Sequence, residues 1–345
     1  MLWHPHEFCL VVRRPEIKKY PQLVDIGAWM DFTTIHGGTP ADKRPGGFYS
    51  QADIRRLVRY AAQRHITIMP EIEMPAHTGA AIVSYPDLGL YPEKLKGLPV
   101  DKRWRAHEGV LAPRPETIAF MQDVLREVVG LFPSRHIHIG GDEANIDHWK
   151  KSEEMQVLIR QMGLKDEAGL HSWFIGQMDT FLTSQGRQLV GWDEILQGGL
   201  APGAVVMSWR GTAGGITAAQ AGHDVVMAPT SHTYFDYYQG PVQQEPKAIG
   251  GFIPLEKAYE FEPIPAELTV EQARHILGGQ GQLWGEFIPN LKHCEYMAYP
   301  RATALAEVLW SPREGRSYEQ FRVALPAHLE RLKAMGVNYR PLDRQ

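Results

Sequence analysis

An α/β fold of the (β/α)8 TIM-barrel type is predicted by two features of this chain. Short apolar runs alternate with longer amphipathic ones, and polar and aromatic residues gather at the C-terminal end of run after run. The second feature separates a barrel from an open doubly wound sheet, and no Gly-x-Gly-x-x-Gly, phosphate loop or internal repeat argues for the open form. The apolar runs at 65–74, 136–141, 188–192, 204–209, 224–228 and 279–284 read as strands buried on both faces. Helical spacing follows at 53–64, 115–131, 167–184, 212–221 and 291–310, several with an acidic or proline start. Six strands leave a barrel N-terminally incomplete, its first one or two strands missing or degenerate. Two edges then need cover, from a strand at 8–12 or from another copy of the chain. The expected organisation is an atypical segment at 1–15 and a barrel domain at 16–345.

Composition excludes several classes of function. With 345 residues, a formal charge of -4, 43% hydrophobic and 22% charged residues, the chain has no basic excess with which to hold a nucleic acid backbone. No window has the length of apolar sequence that a membrane span needs. The N-terminus shows no basic segment followed by an apolar run, so no signal peptide is read there. Cys9 and Cys294 alone cannot build a disulfide framework or a multi-cysteine metal site. Nine tryptophans are the compositional oddity. Core packing is the commoner use of indole, and stacking on the C–H face of a sugar the other.

The stretch Arg135-His-Ile-His-Ile-Gly-Gly-Asp142-Glu143 reads as a buried strand that breaks at two glycines and then presents two acids. Neighbouring strand residues point to opposite faces, so Asp142 and Glu143 can serve one site only if the backbone turns there, and Gly140-Gly141 supplies that freedom. Paired carboxylates in unlike environments can have their pKa values driven apart, one ionised and one holding a proton to donate, which is the usual chemistry of sugar cleavage. A solvated acidic turn is the plainer alternative.

A barrel gathers its strand termini around one mouth. The residues expected there are Glu71, Glu73 and His77, then Asp142 and Glu143, then Trp192-Asp193-Glu194, then Ser208-Trp209-Arg210, then Tyr234 and Asp236, then Trp284 and Glu286. Aromatic walls with a few carboxylates between them suit a neutral, hydroxyl-rich ligand, because apolar faces stack while acids accept hydrogen bonds from O–H groups. A carbohydrate pocket is the direct reading. Metal binding by His136, His138 and Asp142 competes, but the histidines share a strand face while Asp142 lies beyond the glycines, and no oxygen-rich cage accompanies them. No metal or cofactor is therefore expected. No Gly-x-Ser-x-Gly elbow or serine beside a base points to a nucleophilic serine.

Taken together, His138-Ile-Gly-Gly-Asp-Glu143, Pro70-Glu-Ile-Glu-Met-Pro-Ala-His77, Gly191-Trp-Asp-Glu194, Met207-Ser-Trp-Arg-Gly211, Tyr234-Phe-Asp236 and Gly279-Gln-Gly-Gln-Leu-Trp-Gly-Glu286 resemble the catalytic barrel of family 20 glycoside hydrolases, the β-N-acetylhexosaminidases. The resemblance runs from about Glu16 to the last helix. It implies exo-acting, retaining hydrolysis of terminal β-linked GlcNAc or GalNAc, in which the substrate's own 2-acetamido group attacks the anomeric carbon. By the same resemblance Asp142 holds the acetamido N–H, and Glu143 is first acid and then base, with a pKa lifted by burial and neighbours. Tyr234 donates to the acetamido oxygen, and His77 supports the acid. Trp192 and Trp209 enclose the acetamido methyl, Trp284 lies beneath the ring, and Asp236 and Glu286 accept from outer hydroxyls. Glu73 stands where the family often has aspartate. A periplasmic or secreted location is also implied.

The opening of the chain departs from the family. A first strand bearing a sugar-gripping arginine and a His-x-x-Asp-Asp-Gln segment are not found, and Arg13 and Arg14 do not replace the arginine. A barrel remnant that binds such sugars without turnover, and prone to self-association, is thus a second expectation. A third is a classical retaining glycosidase with Asp193, Glu194, Asp236 or Glu286 as nucleophile. Glu153 and Glu154 read as a solvated helical face.

Overall fold

The computed structural model describes residues 2–3, 14–29 and 46–342. Its contacts gather into two compact units, one reaching to Val205 and one from Val206 onward. A single domain at 16–345 was the expectation.

In the first unit the strands β1 (Leu2–Trp3), β4 (Met69–Met74), β5 (His136–Gly140) and β6 (Gln188–Trp192) run parallel in that order, while β2 (Arg14–Pro15) and β3 (Phe48–Tyr49) form a separate parallel pair. Parallel neighbours require a crossover, and helices Pro115–Leu131 and Glu167–Ser184 supply it between β4 and β5 and between β5 and β6. Their bounds coincide with the sequence reading. Helix Gln51–Ala62 begins two residues earlier than expected, because Ser50 and Asp53 close a capping box. The backbone N–H groups of Lys18 and Lys19 donate to the carboxylate of Glu127 on helix Pro115–Leu131, at 2.8 and 2.9 Å, so the segment entering the unit is tied to a crossover helix. The strand proposed at 8–12 lies outside the described residues; β1, two residues long, pairs with β4 at Leu2↔Met69 and Trp3↔Pro70.

The registers Glu71↔His138 and His138↔Val190 place Glu71 and His138 level on adjoining strands, with Trp192 two residues beyond Val190 on β6. Side chains alternate along a strand, so the three share one face. The fully buried Trp149 anchors a separate cluster with Leu90, Val110, Met155, Ile159 and Leu170, its indole N–H donating to Leu111 O at 2.9 Å. That tryptophan is core, the commoner use of indole.

In the second unit β7 (Val205–Ser208), β8 (Val225–Met227) and β9 (Ile276–Gly279) are parallel neighbours in that order. The last strand corrects the sequence reading. It ends at Gly279, where 279–284 was expected to begin one, and Gly278 at φ 147° marks the departure from regular strand geometry. Residues 280–284 form the loop that follows. The helix expected at 291–310 is two helices, Leu291–Ala298 and Arg301–Trp310, because Pro300 has no N–H to continue the first. Among the described residues no helix is long and apolar enough to cross a membrane.

Candidate active site

At the end of β5 the chain turns sharply. Gly140, Gly141 and Glu143 take φ values of 70°, 94° and 48°. A Cβ on Gly140 would lie 1.8 Å from Glu73 Oε2, and one on Gly141 would lie 2.6 Å from Ile195 Cγ2. Both positions thus need glycine for space as well as for backbone angle. The turn brings the adjacent acids to one partner: His77 Nε2 is 3.4 Å from Asp142 Oδ2 and 3.3 Å from Glu143 Oε2. His77, beyond the end of β4, has φ 52°, and strain of this kind persists where surrounding contacts demand it.

These separations are long for hydrogen bonds, so charge carries the attraction. Burial works to lower the His77 pKa, yet its contacts with Asp142 and Glu143 and the charges of Glu73 and Asp142 raise it to about 11. An imidazolium thus faces two acids. Asp142 is buried, and its Oδ1 accepts no hydrogen bond from the described residues. Glu143 differs from expectation: its side chain is 55% exposed, so burial falls on Asp142 and not on the residue assigned the acid's role. Ligand atoms of His77, Asp142 and Glu143 lie within 4.8 Å of one another, close enough for one cation, and a protonated imidazole meets the same need for positive charge. The alternative set of His136, His138 and Asp142 is not gathered, because His138 is engaged by Glu71.

Beneath this turn lies a second layer of acids. Glu71 is fully buried; its Oε1 accepts the indole N–H of Trp192 at 2.8 Å and lies 2.9 Å from His138 Nδ1. Burial first, then the nearby Asp142 and Glu71, push the Glu73 carboxyl well above the usual carboxylate range, which favours its protonated form. At the hinge itself, His171 Nε2 lies 3.1 Å from Gly141 O. Burial lowers the His171 pKa to about 4, which leaves a neutral ring that donates to this carbonyl.

The second unit assembles the remaining predicted residues. Tyr234 makes a parallel bridge to Gln282, with Phe235 N donating to Gln282 O and Gln282 N to Thr233 O, both at 2.8 Å. The Tyr234 ring lies 6.3 Å from Trp209 and 6.4 Å from Trp284, centroid to centroid. Asp236 is 4% exposed, and neither of its carboxylate oxygens accepts a hydrogen bond from the described residues. Burial, with Glu286 adding to it, raises its pKa well above the ordinary value. Arg301 grips this loop. Its guanidinium donates to the carbonyls of Tyr237, Ile253, Phe235 and Met297 at 3.1, 3.0, 2.5 and 2.7 Å, and the first and third of these flank Asp236.

His77, Asp142 and Glu143 are therefore together in the first unit, with Trp192 anchored one layer below; Trp209, Tyr234 and Trp284 cluster in the second, and Asp236 and Glu286 lie near enough to interact. Two residues escaped sequence reasoning. His171 is a lone histidine among Leu170, Phe174, Ile175 and Met178 on a buried helix face, and Arg301 a lone cation at the start of an apolar helix. An unpaired polar residue in an apolar stretch was the available signal in both.

Residues 13–313 match the model of the glycosyl hydrolase family 20 catalytic domain. The chain is 44% identical over 336 residues to a beta-hexosaminidase of Porphyromonas gingivalis, covering 96% of this chain and 42% of that protein. It is 38% identical to a beta-hexosaminidase of Vibrio furnissii, covering 85% of this chain and 49% of that one. The chain thus spans less than half the length of these two relatives. The crystal structure of an exo beta-N-acetylglucosaminidase from Vibrio harveyi in complex with N-acetylglucosamine superposes with a TM-score of 0.84 at 35% identity, over 97% of this chain and 53% of that one. The α/β class with parallel strands and crossover helices is common to both.

Proposed function

The chain belongs to glycosyl hydrolase family 20, and from that premise we propose that it acts as an exo-β-N-acetylhexosaminidase on terminal β-linked GlcNAc or GalNAc. The observation that carries the reading is the convergence of Asp142 and Glu143 on one protonated histidine, with Asp142 Oδ1 buried and accepting no hydrogen bond from the described residues. A buried carboxylate oxygen of that kind is costly unless something donates to it, and an acetamido N–H is a donor of the right size and polarity.

In the proposed reaction Asp142 receives the acetamido N–H and turns the carbonyl oxygen toward the anomeric carbon. The C–O bond to the leaving group breaks as that oxygen closes a ring, and Glu143 gives its proton to the departing oxygen. The resulting oxazolinium carries positive charge, which the Asp142 carboxylate stabilises. Water then adds at the anomeric carbon, returning a proton to Glu143 and restoring the acetamide. Exposure of the Glu143 side chain suits this double duty, because the leaving group and then water must both reach it. The positive charge on His77 holds the two acids in orientation. Tyr234 is assigned the hydrogen bond to the acetamido oxygen, Trp192, Trp209 and Trp284 the apolar walls, and Asp236 and Glu286 the outer hydroxyls. Asp236, buried with two oxygens that accept no hydrogen bond from the described residues, is suited to accept them.

Release of p-nitrophenol from its β-GlcNAc glycoside tests the reading. Glu143→Gln should lower kcat by about 10²–10⁴-fold, the ordinary worth of a general acid. An unchanged rate would remove Glu143 from that role, and a parent without turnover would favour the sugar-binding remnant. Cleavage of the plain β-glucoside at an equal rate would instead favour an enzyme nucleophile. We further propose a periplasmic or secreted location, on the family resemblance, and self-association of the chain; fractionation of the source cells and size-exclusion chromatography test them.

A further inference from the structure

We infer that Glu71 is a positioning residue that fixes the indole of Trp192 and thereby sets which 2-acyl group the site accepts. The second half rests on the proposed role of Trp192 as a wall of the acetamido pocket; the first half stands without it.

Three neighbouring strands contribute to the arrangement. Glu71 on β4, His138 on β5 and Trp192 on β6 are 0%, 0% and 1% exposed. Glu71 Oε1 accepts Trp192 Nε1–H at 2.8 Å, and the His138 ring meets the indole edge-on, centroids 4.9 Å apart at 62°. An indole held at its one polar atom and braced on an edge has little rotational freedom left. Leucine would fill the Glu71 position at far lower cost than a carboxyl removed from water, so packing alone does not account for glutamate there. What leucine lacks is an acceptor for the indole N–H.

Proton placement around Glu71 supports the assignment. His138 Nδ1 lies 2.9 Å from Glu71 Oε1, and the Gly140 N–H points at the same nitrogen from 3.0 Å. One ring nitrogen cannot donate and accept at once. With Glu71 ionised, Nδ1 carries a hydrogen and donates to it, and the Gly140 N–H loses that acceptor; with Glu71 protonated, the single lone pair of Nδ1 is shared between the Glu71 O–H and the Gly140 N–H. In both states Oε1 keeps a lone pair for Trp192. Glu73, pushed toward its neutral form by burial and by Asp142 and Glu71, is the alternative holder of the proton and lets Glu71 stay ionised.

The test compares Glu71→Leu with Glu71→Gln in the whole chain. Glutamine keeps an acceptor oxygen of the same reach; leucine does not. The first readout is the indole ¹H–¹⁵N resonance of Trp192, assigned through Trp192→Phe. It should move upfield and exchange faster in Glu71→Leu, stay near the parent position in Glu71→Gln, and leave the other indoles in place, which also shows that the variants are folded. The second readout is kcat/KM on the p-nitrophenyl 2-acetamido and 2-propionamido glycosides. One methylene against a rigid apolar wall is worth about tenfold or more, and Glu71→Leu should lose about that much of the preference while Glu71→Gln retains it. An unmoved Trp192 resonance in folded Glu71→Leu overturns the anchor. A moved resonance with unchanged acyl preference overturns the link to specificity. If the parent itself turns over neither glycoside, the proposed activity fails in the parent assay, and the resonances still decide the anchor.

Discussion

Asp142 follows two glycines of positive φ and faces a histidine held protonated, whereas Asp236 lies in a loop whose flanking carbonyls are gripped by Arg301. The first region is fixed by steric closeness and by the charges of its own side chains. In the second, a buried cation binds the backbone, and neither oxygen of the Asp236 carboxyl accepts a hydrogen bond from the described residues. The contrast teaches where each region is fragile. In the first, added volume at the hinge should do most harm; in the second, a residue that is assigned no ligand contact should do it.

Gly140→Ala carries the largest expected effect. Alanine at φ 70° costs about 1–3 kcal/mol, and a Cβ 1.8 Å from Glu73 Oε2 adds overpacking of about 1–3 kcal/mol, so the sum reaches up to about 6 kcal/mol. Gly130 on helix Pro115–Leu131 is the internal control, since a Cβ there meets nothing within 4 Å. Gly130→Ala should gain about 0.5–1 kcal/mol. Equal effects in urea unfolding would show that the hinge has no special need of glycine.

Arg301→Met comes next, at about 3–5 kcal/mol, because four carbonyls lose a buried charged donor and methionine replaces only the volume. Burial lowers the Arg301 pKa to about 9, which leaves the group charged at neutral pH. Arg301→Lys, with one compact ammonium for four acceptors, should fall between parent and methionine. If lysine and methionine proved equally costly, charge would be irrelevant and the clamp merely a packed side chain.

How much of this was legible in the sequence follows the same division. Hinge, acids and His77 could be read because Gly-Gly-Asp-Glu and Pro-Glu-Ile-Glu-Met-Pro-Ala-His are local: the backbone that turns and the acids that turn with it are adjacent in the chain. Helices Pro115–Leu131 and Glu167–Ser184 were readable to the residue, since a proline or acid at the first position and a full amphipathic period mark both ends. The last strand was misplaced because its glycines look the same whether they close a strand or open one. Pro300 was read through because the apolar period continues on either side of the break. Glu71 holding Trp192 is a contact across 121 positions, and Arg301 reaches carbonyls up to 66 positions away. Neither leaves a trace in local pattern. The Glu143 side chain was expected to be buried and is not, because burial depends on what surrounds the turn and not on the turn itself.

The last effects are titrations, and those of His171 and Asp236 should run in opposite senses. His171 has its pKa lowered to about 4 by burial, so the folded state resists a proton that the unfolded state takes near 6.5. Its contribution is present above 6.5 and is lost as pH falls toward 4, with a slope of at most about 1.4 kcal/mol per pH unit. Asp236 has its pKa raised, so the folded state holds a proton that the unfolded state releases near 3.8. Its contribution is present below 3.8 and declines as pH rises. The stability difference between parent and His171→Gln should therefore shrink on acidification, while that between parent and Asp236→Asn should grow. His77 provides the alkaline counterpart: with its pKa raised to about 11, the difference between parent and His77→Gln should shrink as pH climbs from 6.5 toward 11. Urea midpoints across pH 4 to 10 give all three curves. Parallel His171 and Asp236 curves would mean that one shared event, and not two separately buried groups, governs the acid limb.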